Sequence, residues 1–424
     1  MTDLPKPGLP KPDLPELTRA FARIGVLSFG GPAAQIALMH RELVEDRNWV
    51  AEQDYLSALS FCMLLPGPEA MQLATWIGWR LHGTIGGLIA GLLFVLPGAA
   101  VVLALSMIYA SFGQVPLIAA CFTGVQAAVV AVVLEALLRV SKRALKRREH
   151  WTIAALAFAA LFVFGLPFPL VILAAGVYGY LTTTTAAKPL DTARPWGATA
   201  QAIVIWGAVW LGPLAVLIRY FPGFYADIGL YFSNLAIVTF GGAYAVLAWM
   251  SQSVVATQHW LTVPQMMDGL GLAETTPGPL ILVTEFVAYV AAFQKSGWTG
   301  GVFAAAIALW MTFAPCFLWI FAGAPWIARL TAAPRLAGAL KAITAAVVGV
   351  IANLSLWFAA HVFFRALARI DAGPLHMIWP DPASLNLFAA LLAVASAYLL
   401  LRLHQSLLLV LALAAIASAG FSLI

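Results

Sequence analysis

Four interruptions inside apolar sequence hold most of the chemistry this chain could offer. Phe29-Gly30-Gly31-Pro32 returns as Phe240-Gly241-Gly242-Ala243, and Pro66-Gly67-Pro68 returns as Pro277-Gly278-Pro279. Proline removes a backbone donor and clashes with the preceding turn, while glycine relaxes the backbone. Each run should therefore end one half-helix and start another. Proline suits the first turn of a helix, so Pro32, Pro68 and Pro279 are expected to open new half-helices. Their free N–H groups and partial charge of roughly +0.5 would face the interior. Helix N-termini of this kind accept anions. Gly30, Gly31, Pro32, Gly67, Pro68, Gly241, Gly242, Gly278 and Pro279 are thus candidate binding positions. The bland alternative is that the interruptions are packing kinks.

Polar side chains beside the interruptions extend the site. Arg23 lies two turns before Gly30 and could bind an anion or answer Glu69, or it could snorkel to the cytoplasmic edge. Glu69 directly follows Pro68, where it caps a helix dipole or carries a proton. Gln72 is one turn on and could donate to an oxyanion. Opposite them the second copy has Leu280 and Val283, but it offers Glu274, Thr275 and Thr276 before its Pro-Gly-Pro and Glu285 after it. The hydroxyls could touch substrate, though satisfying freed carbonyls is the commoner role. Glu69, Glu274 and Glu285 are the proton-coupling candidates. The charged stretch His40–Asp54 reads as a solvated loop, and Trp49 and Trp260 as interfacial anchors.

The elements that must position these residues are membrane helices. Of 424 residues, 62% are hydrophobic and 10% charged, against about 25% charged in ordinary soluble domains. Thirteen apolar segments (range 10–13) are expected, approximately 17–39, 55–80, 84–111, 116–138, 151–164, 168–181, 199–217, 229–250, 265–292, 298–322, 338–360, 384–401 and 404–424. The fold class is all-α, polytopic. The interruptions repeat at an offset of 211 residues, as do Trp49 and Trp260. The offset drifts to 214 at Gly83 and Gly297 and to 218 at Pro97 and Pro315. The expected organisation is a Pro-rich cytoplasmic tail (1–16), a first repeat (17–181), a linker with one connecting helix (182–228) and a second repeat (229–424). The copies start seven segments apart, an odd number, so they should be inverted, an architecture of alternating access. With the basic loop Arg139–Arg148 inside, all 23 lysines and arginines lie inside except Arg41, Arg47, Arg219, Lys295, Arg365 and Arg369. That bias puts the N-terminus in the cytoplasm and the C-terminus outside.

Other classes are disfavoured. The basic residues sit in short loops, which speaks against nucleic acid. Cys62, Cys121 and Cys316 are far apart, so neither disulfides nor a metal is indicated. No HExxH, GxSxG or Walker A pattern is present, so no enzyme, cofactor or nucleotide-driven pump is expected. The partners left are a small solute and the lipid bilayer, with a homodimer open.

The run SFGGPAAQIALMHRELVEDRNWV, followed by LLPGPEAMQLATWIGWRLHGTIGGLIAGLLFVLPG, resembles the chromate ion transporter family. VTFGGAYAVLAWM through LAETTPGPLILVTEF is similar to that family's second domain. The resemblance covers nearly the whole chain in its long two-domain form. It implies a secondary transporter in the cell (inner) membrane that exports chromate and gives chromate resistance. Sulfate, also a tetrahedral dianion, is the alternative substrate. The change of Pro32 to Ala243 makes the two sites unequal. Without the resemblance, the physical reading stops at an oxyanion.

Overall fold

The computed structural model describes residues 10–113, 115–184, 196–240, 242–373 and 375–423. Gly241, the first residues of the tail and most of the loop before Trp196 lie outside that set. The chain is nearly all helical. In the first half run α1 (Leu14–Leu27), α2 (Gly31–His40), a π-turn (Arg41–Asp46), α3 (Glu52–Cys62), α4 (Glu69–Phe112), α5 (Pro116–Ala144), α6 (Arg148–Phe162) and α7 (Phe168–Thr182). After α8 (Trp196–Tyr220) come α9 (Phe224–Val238), α10 (Ala243–Gln252), a second π-turn (Ser253–Thr257) and α11 (Val263–Thr275). A 3-10 turn (Leu280–Leu282) leads into α12 (Val283–Gly323), followed by α13 (Ile327–Thr331) and α14 (Pro334–Phe363). A hairpin of β1 (Leu367–Ala372) and β2 (Leu375–Pro380) precedes α15 (Leu387–Leu401) and α16 (Leu407–Ser422). The hairpin was not expected, since the sequence there reads as a connection.

The two halves follow a similar order of elements, with α13 and the hairpin as additions in the second. Residues at the 211 offset share backbone detail that side chains alone would not impose. Asn48 and His259, both non-glycine, each adopt φ 52°. Trp49 donates its backbone N–H to the Leu43 carbonyl, and Trp260 donates to Val254, again 211 residues apart. Both tryptophans are buried within the protein, at 5% and 8% exposure, rather than standing out as interfacial anchors. The stretch His40–Asp54 is largely helical rather than a loop, holding the π-turn and the start of α3. Arg41, Glu45, Asp46 and Glu52 are exposed as expected, but Glu42 is buried and gripped by Arg47 and by Arg23 Nε at 3.5 Å.

Two long helices are really hairpins. α4 is 44 residues long but breaks at His82 and Gly83, where Gly83 has φ 59° and ψ −153°. A Cβ on Gly78 would meet the Gly86 carbonyl at 2.2 Å, and one on Gly91 would meet Thr75 Oγ1 at 2.4 Å, so the legs run back against each other. α12 turns in the same way at Gly297, φ 64° and ψ −158°, and Thr312 reaches Thr284 across its legs at 3.4 Å. The leg from Glu69 to His82 is about 21 Å long at 1.5 Å per residue. That is short of the roughly 30 Å hydrocarbon core.

Among the described residues, five helical stretches are long and apolar enough to cross a membrane: Glu69–Phe112, Pro116–Ala144, Trp196–Tyr220, Leu280–Thr331 and Pro334–Phe363. α7, α9, α15 and α16 are shorter and apolar. The chain forms two compact units, each drawn from both halves. One comprises Met1–Ser106, Thr184–Ala243 and Thr276–Ala337; the other comprises Met107–Thr183, Tyr244–Thr275 and Gly338–Ile424.

Candidate functional site: the crossed helix breaks

In the first unit the four interruptions pair across the copies. Gly67 donates its N–H to the Thr239 carbonyl at 2.9 Å, and Gly278 donates to the Ser28 carbonyl at 2.8 Å. Ser28 and Thr239 stand two residues before the Gly-Gly steps and are themselves 211 residues apart. Each Pro-Gly-Pro is thus tied to the Phe-Gly-Gly of the other copy. The ties are local necessities. The break frees a carbonyl at the end of one half-helix, and an unpaired backbone group there is costly. Ser28 Oγ and Thr239 Oγ1 satisfy carbonyls one turn back, those of Ile24 and Leu235, at 2.6 and 2.5 Å.

The long helices approach the breaks in the same crossed manner. Gly98 follows Pro97, and a Cβ on it would meet the Pro277 carbonyl at 2.3 Å. Its counterpart Cys316 follows Pro315, and its Sγ lies 3.0 Å from where a Cβ on Gly67 would stand. Gly67 and Gly278 have φ of 118° and 88°, a region that disfavours side chains.

Sequence-predicted residues gather here. Gly30 (φ 84°) and Gly31 (φ 77°) turn the chain into α2, with Pro32 in its first turn. Gly242 (φ 98°) precedes α10, and a Cβ on it would lie 3.8 Å from Glu69 Oε1. Glu69 opens α4 after Pro68, its carboxyl resting against its own backbone N–H. Gln72 is fully buried, and its amide nitrogen donates to the Pro66 carbonyl at 2.6 Å. Pro279 precedes the 3-10 turn that leads into α12. Glu285 is 1% exposed in α12, and its Oε2 has no hydrogen-bond partner among the described residues. Thr276 is buried at the same break.

Other predicted residues fall elsewhere. Arg23 is largely exposed and meets Glu42 rather than Glu69. Thr275 returns its hydroxyl to the Leu272 carbonyl at 2.8 Å. Glu274 belongs to the second unit, where Tyr244 donates to it at 2.8 Å beside the Arg139–Glu135 ion pair.

Sequence reading missed several polar residues. Gln35, 1% exposed in α2, donates to the Gly278 carbonyl at 2.7 Å. An amide inside the apolar run PAAQIALM was the available signal. In the second unit Asp268 of α11 accepts from Tyr109 and from Gln126 of α5, both at 2.8 Å. Beside them a cavity of about 360 Å³ is lined by Gln126, Met267, His361 and Arg365 among others. Among the described residues no three metal-ligating side chains converge.

The family model described as chromate transporter matches residues 15–180 and 226–419. A chromate transport protein of Pseudomonas aeruginosa is 33% identical over 359 residues, covering 82% of each chain. One from Cupriavidus metallidurans is 30% identical over 351 residues, 80% of each. An uncharacterized transporter of Methanocaldococcus jannaschii is 24% identical, covering 83% of this chain and 86% of that one. No solved structure matches the chain significantly.

Proposed function

Because this chain belongs to the chromate transporter family, we propose that it is a secondary transporter that exports chromate from the cytoplasm by alternating access. The observation that carries the reading is the crossed pairing of the breaks, Gly67 to Thr239 and Gly278 to Ser28. Discontinuous helices tied at a repeat interface supply what such transporters use for small ions. The helix from Glu69 starts at a break, and a helix start leaves its first N–H groups without partners inside the helix. A leg of about 21 Å before the turn at Gly83 suits a start well inside the bilayer. The similar order of elements supports two repeats joined by α8. The odd number of segments between them argues for inversion, and the loop charges for the N-terminus inside and the C-terminus outside.

Membrane potential is a sufficient drive. Each charge crossing 100 mV gains about 2.3 kcal/mol, so a dianion leaving a negative interior gains about 4.6 kcal/mol. Protonation of Glu69, Glu274 or Glu285 is the coupled step in the proton-driven version. Sulfate transport with incidental chromate movement is the second reading, favoured by sulfate's shared tetrahedral shape and charge.

Purified protein in liposomes should move chromate without ATP, at a rate that responds to an imposed potassium-diffusion potential. Folded protein giving no flux above empty liposomes sinks the reading. Faster sulfate than chromate flux in the same vesicles would select the second one.

A further inference from the structure

Gln35 and Gln72 share a feature that a plain anion site does not call for. Each amide sits near the start of a helix that leaves a break, Gln35 in α2 and Gln72 in α4. Each spends its NH2 on a carbonyl of a Pro-Gly-Pro, Gly278 for Gln35 and Pro66 for Gln72. The orientation is dictated by chemistry, because a flipped amide would set oxygen against carbonyl oxygen. What remains on each side chain is Oε1, buried and without a hydrogen-bond partner among the described residues. These orphan groups accept hydrogen bonds and cannot donate them. An oxyanion carrying no proton would meet them as repulsive dipoles. An oxyanion with an O–H would satisfy one of them, and helix N-termini in general supply N–H donors suited to an anion's other oxygens.

We propose, building on the chromate reading, that the breaks bind a proton-bearing oxyanion, hydrogen chromate, whose O–H donates to Gln72 Oε1 or Gln35 Oε1. The two amides are then specificity-determining residues. Chromate is partly protonated near neutral pH and sulfate is not, so the same contact separates two ions of one shape. A site built to take a substrate hydroxyl discriminates far more sharply than one built on size. The proton then crosses with the substrate, and no protein carboxyl need shuttle it. Titratable groups around the first break are Glu69 of α4, Cys62 of α3 and Cys316 of α12. Glu285 stands in α12 beyond the second.

The test is binding and flux on the full chain in nanodiscs and liposomes, with chromate, sulfate and phosphate as probes at pH 6, 7 and 8. Apparent chromate affinity should fall about tenfold per pH unit once the ion has lost its proton. Sulfate should bind at least about a hundredfold more weakly at every pH. Phosphate, which keeps a hydroxyl, should compete better than sulfate. Gln72→Met and Gln35→Met, which keep the length but lose the acceptor together with the donor to the Pro-Gly-Pro carbonyl, should narrow the chromate-to-sulfate preference by about tenfold or more. The inference is overturned if sulfate binding rises at low pH in parallel with chromate, because protein carboxyls then set the dependence. It is also overturned if chromate affinity is flat with pH, or if both folded variants keep the wild-type preference. Should either variant fail to fold, the wild-type pH series still decides. Chromate flux with no such selectivity removes the inference and leaves the export reading standing, whereas absence of chromate flux at all pH values removes the export reading itself.

Discussion

Gly67 is held to glycine by two separate constraints. Its φ of 118° disfavours a Cβ, and a Cβ there would sit 2.7 Å from Gln72 Nε2 and 3.0 Å from Cys316 Sγ. Gly83 carries only the first constraint, with φ 59° and nothing within 4 Å of a built Cβ. Backbone strain of this kind costs about 1–3 kcal/mol, and overpacking adds about 1–3 kcal/mol. Gly67→Ala should therefore lower the unfolding temperature in detergent clearly more than Gly83→Ala. It should also impair transport, since it displaces the amide that caps Pro66. Equal losses from the two variants would show that the contact with Gln72 and Cys316 does not matter.

At the scale of elements, each Pro-Gly-Pro gives one backbone N–H to a carbonyl beside the other copy's Phe-Gly-Gly, Gly67 to Thr239 and Gly278 to Ser28. The arrangement explains why Pro-Gly-Pro and Phe-Gly-Gly occur as a set: either alone would leave a donor or a carbonyl unpaired. The second unit is tied differently, by side chains. Asp268 of α11 receives Tyr109 and Gln126, so α11 is pinned to α5 by a buried carboxyl. Asp268→Asn sets an NH2 against one of two donors and should cost about 1–3 kcal/mol. Hydrogen exchange across residues 263–275 should quicken, with little change near Gly67, which belongs to the other unit. Exchange that quickens equally at both places would argue that the two units open together.

For the whole molecule, the charge carried per cycle separates the forms of the export mechanism. At 100 mV a monoanion gains about 2.3 kcal/mol, which sustains a gradient of roughly fiftyfold; a dianion gains about 4.6 kcal/mol and sustains more than a thousandfold. Liposomes clamped at that potential, with equal pH on both sides, should stop near the lower ratio if hydrogen chromate is the moving species. A ratio near the higher value would mean that the proton stays behind. Orientation is open to a separate measurement. An N-terminal tag should be protected from externally added protease in intact cells and a C-terminal tag cleaved; the reverse pattern would contradict the loop-charge reading.

Much of this was legible in the residues themselves. Composition alone requires helices in lipid, and the offset of 211 residues between Phe29-Gly30-Gly31 and Phe240-Gly241-Gly242 locates the breaks, because glycine and proline act on the backbone next to them. The turns at Gly83 and Gly297 were readable for the same reason. The partners were not. Sequence places Arg23 near Glu69 as readily as near Glu42, and nothing in PAAQIALM says that Gln35 will cap Gly278, 243 residues away. Such contacts depend on which half-helix ends the chain brings together. Only the tertiary structure decided that the breaks cross between copies, and that Gln35 and Gln72 spend their donors on the backbone and keep bare oxygens for whatever binds.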